Sequence, residues 1–278
     1  MNNQSLNYPS KLMLFGEYAV IAGGEGLAVP YPTFSAQWKF NTSSPSEYKP
    51  HLEHFLVWLK ANNFDSILQL SVFENDLQHG LDMASNVPVG YGVGSSGVVV
   101  AAIYDKYVIR REHDIQTLKK ILASMENYFH ATSSGLDPLV CYLNKVVHVK
   151  PNSIDITTSN FQPEKICLEL IDCGNARSTQ QLVNVFKEKM LEESFATIMQ
   201  DYIHLSNTCI NAWLVKDEQL LITHLKLLSA LQLQYFEFAI PEKQRKGWKN
   251  KLDSNTGYMK LCGAGGGGPA ADDALDHG

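Results

Sequence analysis

The chain is constrained most by Val89 to Tyr104, where the glycine-dense loop Gly90-Tyr91-Gly92-Val93-Gly94-Ser95-Ser96-Gly97 runs into the apolar stretch Val98 to Ile103. Glycine lets a backbone pass close to a ligand, and the N–H groups left over at the start of a helix point toward an anion. A phosphate-bearing ligand is the first expectation; a plain turn ahead of a core helix is the bland alternative. Gly92, Gly94 and Gly97 formally satisfy G-x-G-x-x-G, but that dinucleotide fingerprint needs a strand directly before it. Leu81 to Pro88 carries Asn86 and Pro88 rather than a clean β run. Neither this loop nor a second one, Gly263 to Gly268, ends in Gly-Lys-Ser/Thr, which speaks against a P-loop NTPase, and the protein-kinase signatures are missing.

Ser95 and Ser96 lie where the loop meets the helix, so either hydroxyl could approach a phosphate oxygen or Mg²⁺; an ordinary N-cap is the competing role. Glu126 falls on a second helical pattern, Ile115 to Phe129, with Leu118, Ile121, Leu122, Met125 and Phe129 on one stripe. Asp137 follows the turn-forming run His130 to Gly135. Taken singly, Glu126 reads as a solvent-facing helix residue and Asp137 as a turn residue before Pro138. Alongside the glycine loops, one acid could hold magnesium, a cation of hard oxygen ligands that usually keeps water, while the other orients a hydroxyl nucleophile.

The opening is strand-rich: Lys11 to Phe15, then Leu27 to Val29 and the alternation Ala36, Trp38, Phe40. His51 to Leu59 reads as a helix, and Leu68, Leu70 and Val72 as a return to period two. His51 and His54 lack a third ligand and read as surface residues. Val146 to Val149 and Ile166 to Ile171 are strand candidates, and the polar loop Pro151 to Pro163 between them suggests domains at 1–155 and 156–278. Ser178 reads as an N-cap with Gln181 three residues on, and helical patterns continue through Phe195 to Trp213 and Gln219 to Leu233. Pro241 to Trp248 reads as a loop, and Met259 to Cys262 as a short strand.

A net charge of −6, without a convincing run of Lys and Arg, argues against a nucleic-acid partner. No apolar stretch reaches the length of a membrane span, and Met1 to Pro9 is polar. Cysteines at 141, 167, 173, 209 and 262 make no C-x-x-C, a spacing expected of reduced thiols in a cytoplasmic chain.

Three segments, Lys11 to Val20, Pro88 to Gly97 and Lys260 to Gly268, resemble in order the three motifs of the GHMP small-molecule kinases. Ser134-Gly135-Leu136-Asp137-Pro138 and Asp172 to Thr179 look like segments of the mevalonate kinase branch. The resemblance implies an α+β fold of two domains, a ribosomal-protein-like N-terminal domain and a ferredoxin-like C-terminal one, with a cleft between them. It implies ATP and Mg²⁺ as cofactors and the primary hydroxyl of mevalonate as acceptor. Alternatives are a related kinase acting on phosphomevalonate or a sugar, and a non-catalytic nucleotide-binding protein of the same fold. By similarity, Asp137 and Lys11 are catalytic. Gly90, Gly92, Gly94, Ser95, Ser96, Gly97, Gly263, Gly265 and Gly266 bind the nucleotide, and Ser96 and Glu126 hold the metal. Glu17, Tyr18, Arg177 and Thr179 face the acceptor.

Position 18 is Tyr where many mevalonate kinases carry His, and Cys262 stands where Thr is common. The tail Pro269 to Gly278 is short, acidic and without strand pattern where the family continues into a core strand, so a truncated or altered C-terminus is expected. Dimerisation could cover the sheet edge left by such a loss, making a homodimer an open expectation.

Overall fold

The computed structural model describes residues 6–40, 48–130, 132–157, 169–171 and 179–263. Contacts divide the chain into two compact units, each assembled from separate stretches. One gathers the described residues of Met1–Lys11, Pro30–Pro88 and Gly94–Lys145; the other gathers those of Leu12–Val29, Val89–Val93 and Val146–Gly278. Strands β1 (Asn7–Phe15) and β2 (Gly26–Phe40) each contribute residues to both.

In the first unit, the far half of β2 pairs antiparallel with β3 (Leu81–Ser85), from Ala36 opposite Ser85 to Phe40 opposite Leu81. Helix α1 (Tyr48–Ala61) buries Leu52, Phe55, Leu56 and Leu59, the stripe legible in its sequence. Helix α2 (Leu70–Gln78) replaces the strand expected around Leu70: Leu70, Phe73 and Leu77 fall on one helical face, and this burial overrides the short period-two run. Helix α3 (Ser95–Tyr107) is apolar on nearly every side and buried on nearly every side. It packs against α4 (Ile115–Glu126) and α5 (Leu136–Leu143). Tyr107, at the end of α3, stacks near Phe73 and Trp38, with ring centroids 4.7 and 6.3 Å away.

In the second unit, the near end of β2 pairs antiparallel with β4 (Val146–Val149), Gly26 opposite Val149 and Ala28 opposite Val147. The stretch expected to be loop after Pro151 contains β5 (Ile154–Thr157), which forms an antiparallel hairpin with β4. Residues Ala19–Ala22 form a short 3₁₀ turn. Helices α6 (Thr179–Lys189), α7 (Glu193–Val215) and α8 (Glu218–Tyr235) follow the sequence pattern closely. Pro241 to Trp248, expected as a loop, opens helix α9 (Glu242–Ser254). Trp248 explains the difference: it is buried despite its cationic neighbours, and its indole N–H donates to Ser229 Oγ at 2.8 Å. Met259 to Cys262 carries no strand ladder. The unit's core joins Tyr18, Phe186, Phe195, Tyr202 and Phe236.

Among the described residues, β2 pairs antiparallel with β3 and β4, and β4 with β5, so β3, which ends five residues before Gly90, does not open a parallel βαβ unit. The dinucleotide alternative fails on topology. Among the described residues, no helix is long and apolar enough to cross a membrane. The expected strand Ile166 to Ile171, the Ser178 cap and the tail Pro269 to Gly278 fall wholly or mostly outside the described residues.

Candidate active site

The first unit draws six of the expected site residues together: Lys11, Gly94, Ser96, Gly97, Glu126 and Asp137. Lys11, on β1, is 7% exposed, and its Nζ lies 2.9 Å from Asp137 Oδ1. Asp137 occupies the first turn of α5 rather than a loop. Gly94 caps α3 in the left-handed region at φ 83°, and no side chain caps that end, so the serine N-cap expected here is absent. A Cβ at Gly94 would stand 3.0 Å from Lys11 Cγ and 3.6 Å from Asp137 Oδ2. Gly97 is tighter still, since a Cβ there would meet the Asp137 carbonyl carbon and Pro138 N at 2.9 Å. The α3 N-terminus, its N–H groups uncapped, therefore lies beside the Lys11–Asp137 pair.

Ser96 turns its hydroxyl to Glu126 Oε1 at 2.9 Å instead of capping the helix. Glu126 is 4% exposed, not solvent-facing. Its other oxygen accepts from Ser133 Oγ, and Ser133 Oγ in turn accepts from the Gly135 N–H at 2.9 Å. Burial, followed by the charge of Asp137, raises the Glu126 pKa to about 7, while the two serine hydroxyls and Lys11 act in the opposite direction. His130 Nε2 lies 3.1 Å from Ser96 Oγ. With the serine proton directed at Glu126, Nε2 must carry the proton of that contact. The Ser96 hydroxyl and the buried Glu126 carboxylate, beside a second acid, offer the hard oxygens that suit a divalent cation. Among the described residues no group of three or more His, Cys, Asp or Glu could cage a metal, so a cation here would complete its shell with phosphate oxygens and water.

The second unit holds the other expected residues. Gly90 and Gly92 have φ of 85° and 70°. Gly263, at φ 73°, faces Gly92: a Cβ on it would lie 3.9 Å from the Gly92 carbonyl oxygen, so the two glycine turns meet. Glu17 is buried, pairs with Lys260 Nζ and accepts from Tyr202 OH at 3.0 Å. Burial raises its pKa against the opposing effect of Lys260. Tyr18, expected beside the acceptor, is fully buried, its ring 4.8 Å from Phe186 and 5.5 Å from Phe236. Gly265, Gly266 and Arg177 lie outside the described residues, as does the side chain of Thr179.

Sequence reasoning missed Ser133, His130, Tyr202, Gln232 and Lys260. Ser133 had a signal, a hydroxyl in the turn that joins the two acid-bearing helices; the others had none beyond lying in or near a motif.

Residues 64–145, which carry most of the first cluster, match the family model described as GHMP kinases N terminal domain. The mevalonate kinase of Pyrococcus horikoshii is 24% identical over 212 residues, 66% of this chain and 61% of that protein, so the chain spans about three fifths of its relative's length. Among solved structures, L. major mevalonate kinase in complex with R-mevalonate superposes with a TM-score of 0.66 at 17% identity, covering 98% of this chain and 89% of that one. The Streptococcus pneumoniae phosphomevalonate kinase gives a TM-score of 0.56 at 16% identity, covering 95% and 88%. The fold is the two-domain fold of the GHMP kinases. These relatives matched in sequence and fold are mevalonate and phosphomevalonate kinases.

Proposed function

We propose that this chain is an ATP- and Mg²⁺-dependent small-molecule kinase and that its acceptor is the primary hydroxyl of mevalonate. The observation that carries the reading is the arrangement in the first unit: the Lys11–Asp137 pair beside an uncapped helix N-terminus, next to a half-buried contact between Ser96 and the buried Glu126. When bound, ATP supplies the phosphoryl group and magnesium offsets its charge. Phosphoryl transfer through a loose transition state demands mainly alignment and charge neutralisation. The amides of Gly94 to Gly97 would donate to phosphate oxygens, and in the second unit the glycine turns at Gly90, Gly92 and Gly263 are further candidates for phosphate contact. Ser96 and Glu126 hold the cation. Asp137 takes the hydroxyl proton of the acceptor, while Lys11 orients that carboxylate and screens it from the incoming phosphates.

The mevalonate assignment draws on the likeness to mevalonate kinases and on the segment Ser134 to Pro138. A second reading, phosphomevalonate as acceptor, is supported by the similarity to the S. pneumoniae enzyme. An ATP-dependent assay over mevalonate, phosphomevalonate and galactose, with products resolved by mass, separates them. Phosphorylation of mevalonate alone supports the first reading, and nucleotide binding with no product from any acceptor rejects both.

A further inference from the structure

Among the described residues no strand pairs with the segment entering the last glycine turn, yet Leu261 is buried and both polar groups of its backbone are satisfied by side chains. Its N–H donates to Gln232 Oε1 at 2.9 Å. Its carbonyl accepts from Lys260 Nζ. Between these ends runs an unbroken chain: Gln232 Nε2 donates to Tyr202 OH at 3.1 Å, Tyr202 OH donates to Glu17 Oε2 at 3.0 Å, and Glu17 Oε1 accepts from Lys260 Nζ. The result is a closed ring of hydrogen bonds passing through α7, α8, the residue pair after β1 and the turn itself.

Chemistry fixes the direction of this ring. A backbone N–H can only donate, so the oxygen of the Gln232 amide faces Leu261 and its nitrogen faces the phenol. The phenol oxygen accepts there, so its one proton goes to Glu17. Both carboxylate oxygens are then acceptors, the second one serving the lysine. Flipping the amide would leave a buried N–H facing another donor. Tyr202 and Gln232 are fully buried, so water cannot substitute for a lost member.

We propose that Gln232 and Tyr202, acting through Glu17 and Lys260, are positioning residues that hold Leu261 to Gly263 against Gly92. On this view Glu17 serves the turn rather than an acceptor, and neither Gln232 nor Tyr202 touches a ligand. The kinetic consequence rests on the kinase reading above, whereas the structural one does not. Cys262 reports the structural one directly, because its Sγ lies 3.6 Å from the Met13 carbonyl oxygen and is half-buried while the turn is held.

The test uses Tyr202→Phe, which keeps the ring stacked 4.8 Å from Phe236, and Gln232→Met, which keeps side-chain length, with the exposed Gln234→Met on the same helix as control. Iodoacetamide labelling, mapped by peptide mass, gives the rate at Cys262, and buried Cys141 reports general unfolding. The expected result is an increase of about tenfold at Cys262 in both variants, the scale of one buried hydrogen bond lost, with Cys141 and the control unchanged. Gln232→Leu, which likewise removes the acceptor toward Leu261, stands in if Gln232→Met does not fold. Unchanged Cys262 labelling in folded Tyr202→Phe and Gln232→Met overturns the proposal. In steady-state assays the KM for ATP should rise about tenfold with kcat within about twofold; a KM that does not move while Cys262 opens overturns the link to nucleotide. Absence of phosphoryl transfer in the unsubstituted protein rejects the kinase reading and leaves the labelling result to judge the ring.

Discussion

Substituting Gly97 by alanine tests the contact on which the candidate site is built. Gly97 has ordinary helical backbone geometry, so in an exposed helix the change would stabilise by about 1 kcal/mol. Here the new methyl would lie 2.9 Å from the Asp137 carbonyl carbon and Pro138 N, and 3.0 Å from Asp137 Cβ. The first two are main-chain atoms at the start of α5 and the third is fixed directly to that main chain, so none can rotate away. Ordinary van der Waals separation requires α3 and α5 to part by about half an ångström, and overpacking of this kind costs about 1–3 kcal/mol. The net expectation is a loss of roughly 0–2 kcal/mol in urea unfolding after the propensity gain is subtracted. The same displacement moves Asp137. Since misplacement by an ångström costs on the order of a hundredfold in rate, kcat should fall about tenfold. Urea titration followed by circular dichroism gives the first number, and a coupled ADP-release assay gives the second. A G97A protein that is about 1 kcal/mol more stable and turns over normally would refute the close α3–α5 contact.

Replacing Glu126 with Gln should weaken nucleotide binding in magnesium at least tenfold while leaving metal-free binding within about twofold; calorimetric titrations that show equal losses would make Glu126 merely structural. The same residue sets a pH dependence. Its folded pKa of about 7 stands above the ordinary 4.5, so the folded state binds the extra proton between these values. Stability in magnesium-free buffer should therefore fall as pH rises through that window, by about 3 kcal/mol at most, and level off above it. Urea midpoints compared at pH 5 and pH 8 should show this decline in the parent and a flatter profile in E126Q. Lys11→Met should lower kcat by at least about a hundredfold by leaving Asp137 without its cation beside Glu126; an unaltered kcat argues that the ion pair serves stability alone. Tyr18→Ala should destabilise by about 3–5 kcal/mol, the range for emptying a buried aromatic site, which a thermal or urea melt will show.

The parts of this protein legible in its sequence are those written locally. The continuous apolar run after Gly97 gave a buried helix, and the stripe Leu52, Phe55, Leu56, Leu59 gave another. Leu68, Leu70 and Val72 misled because a three-residue alternation also fits one turn of α2, whose burial depends on Phe73 and Leu77 further along. Residues 242–254 misled because lysines and Gly247 outweigh a single Trp, although Trp248 anchors the helix. Glu126 looked solvent-facing because helical periodicity cannot register the hydroxyls of Ser96 and Ser133, which come from two other segments. The pairing of Glu17 with Lys260 spans most of the chain and has no local trace. The division into units cuts through β1 and β2, so no change in composition marks it. What the glycine motifs did convey was the neighbourhood: Lys11, Gly94, Gly97 and Asp137 come together in the structure, as their motifs implied.

The most direct test of the central claim is a single-turnover experiment with ATP carrying ¹⁸O on its γ-phosphate, magnesium and mevalonate, read by mass spectrometry for the parent and a folded Asp137→Asn variant of matched nucleotide affinity. The account predicts labelled phosphomevalonate from the parent and a rate at least about a thousandfold lower from the variant. Transfer at the parental rate by Asp137→Asn, or bound nucleotide with no labelled product from the parent, would contradict it.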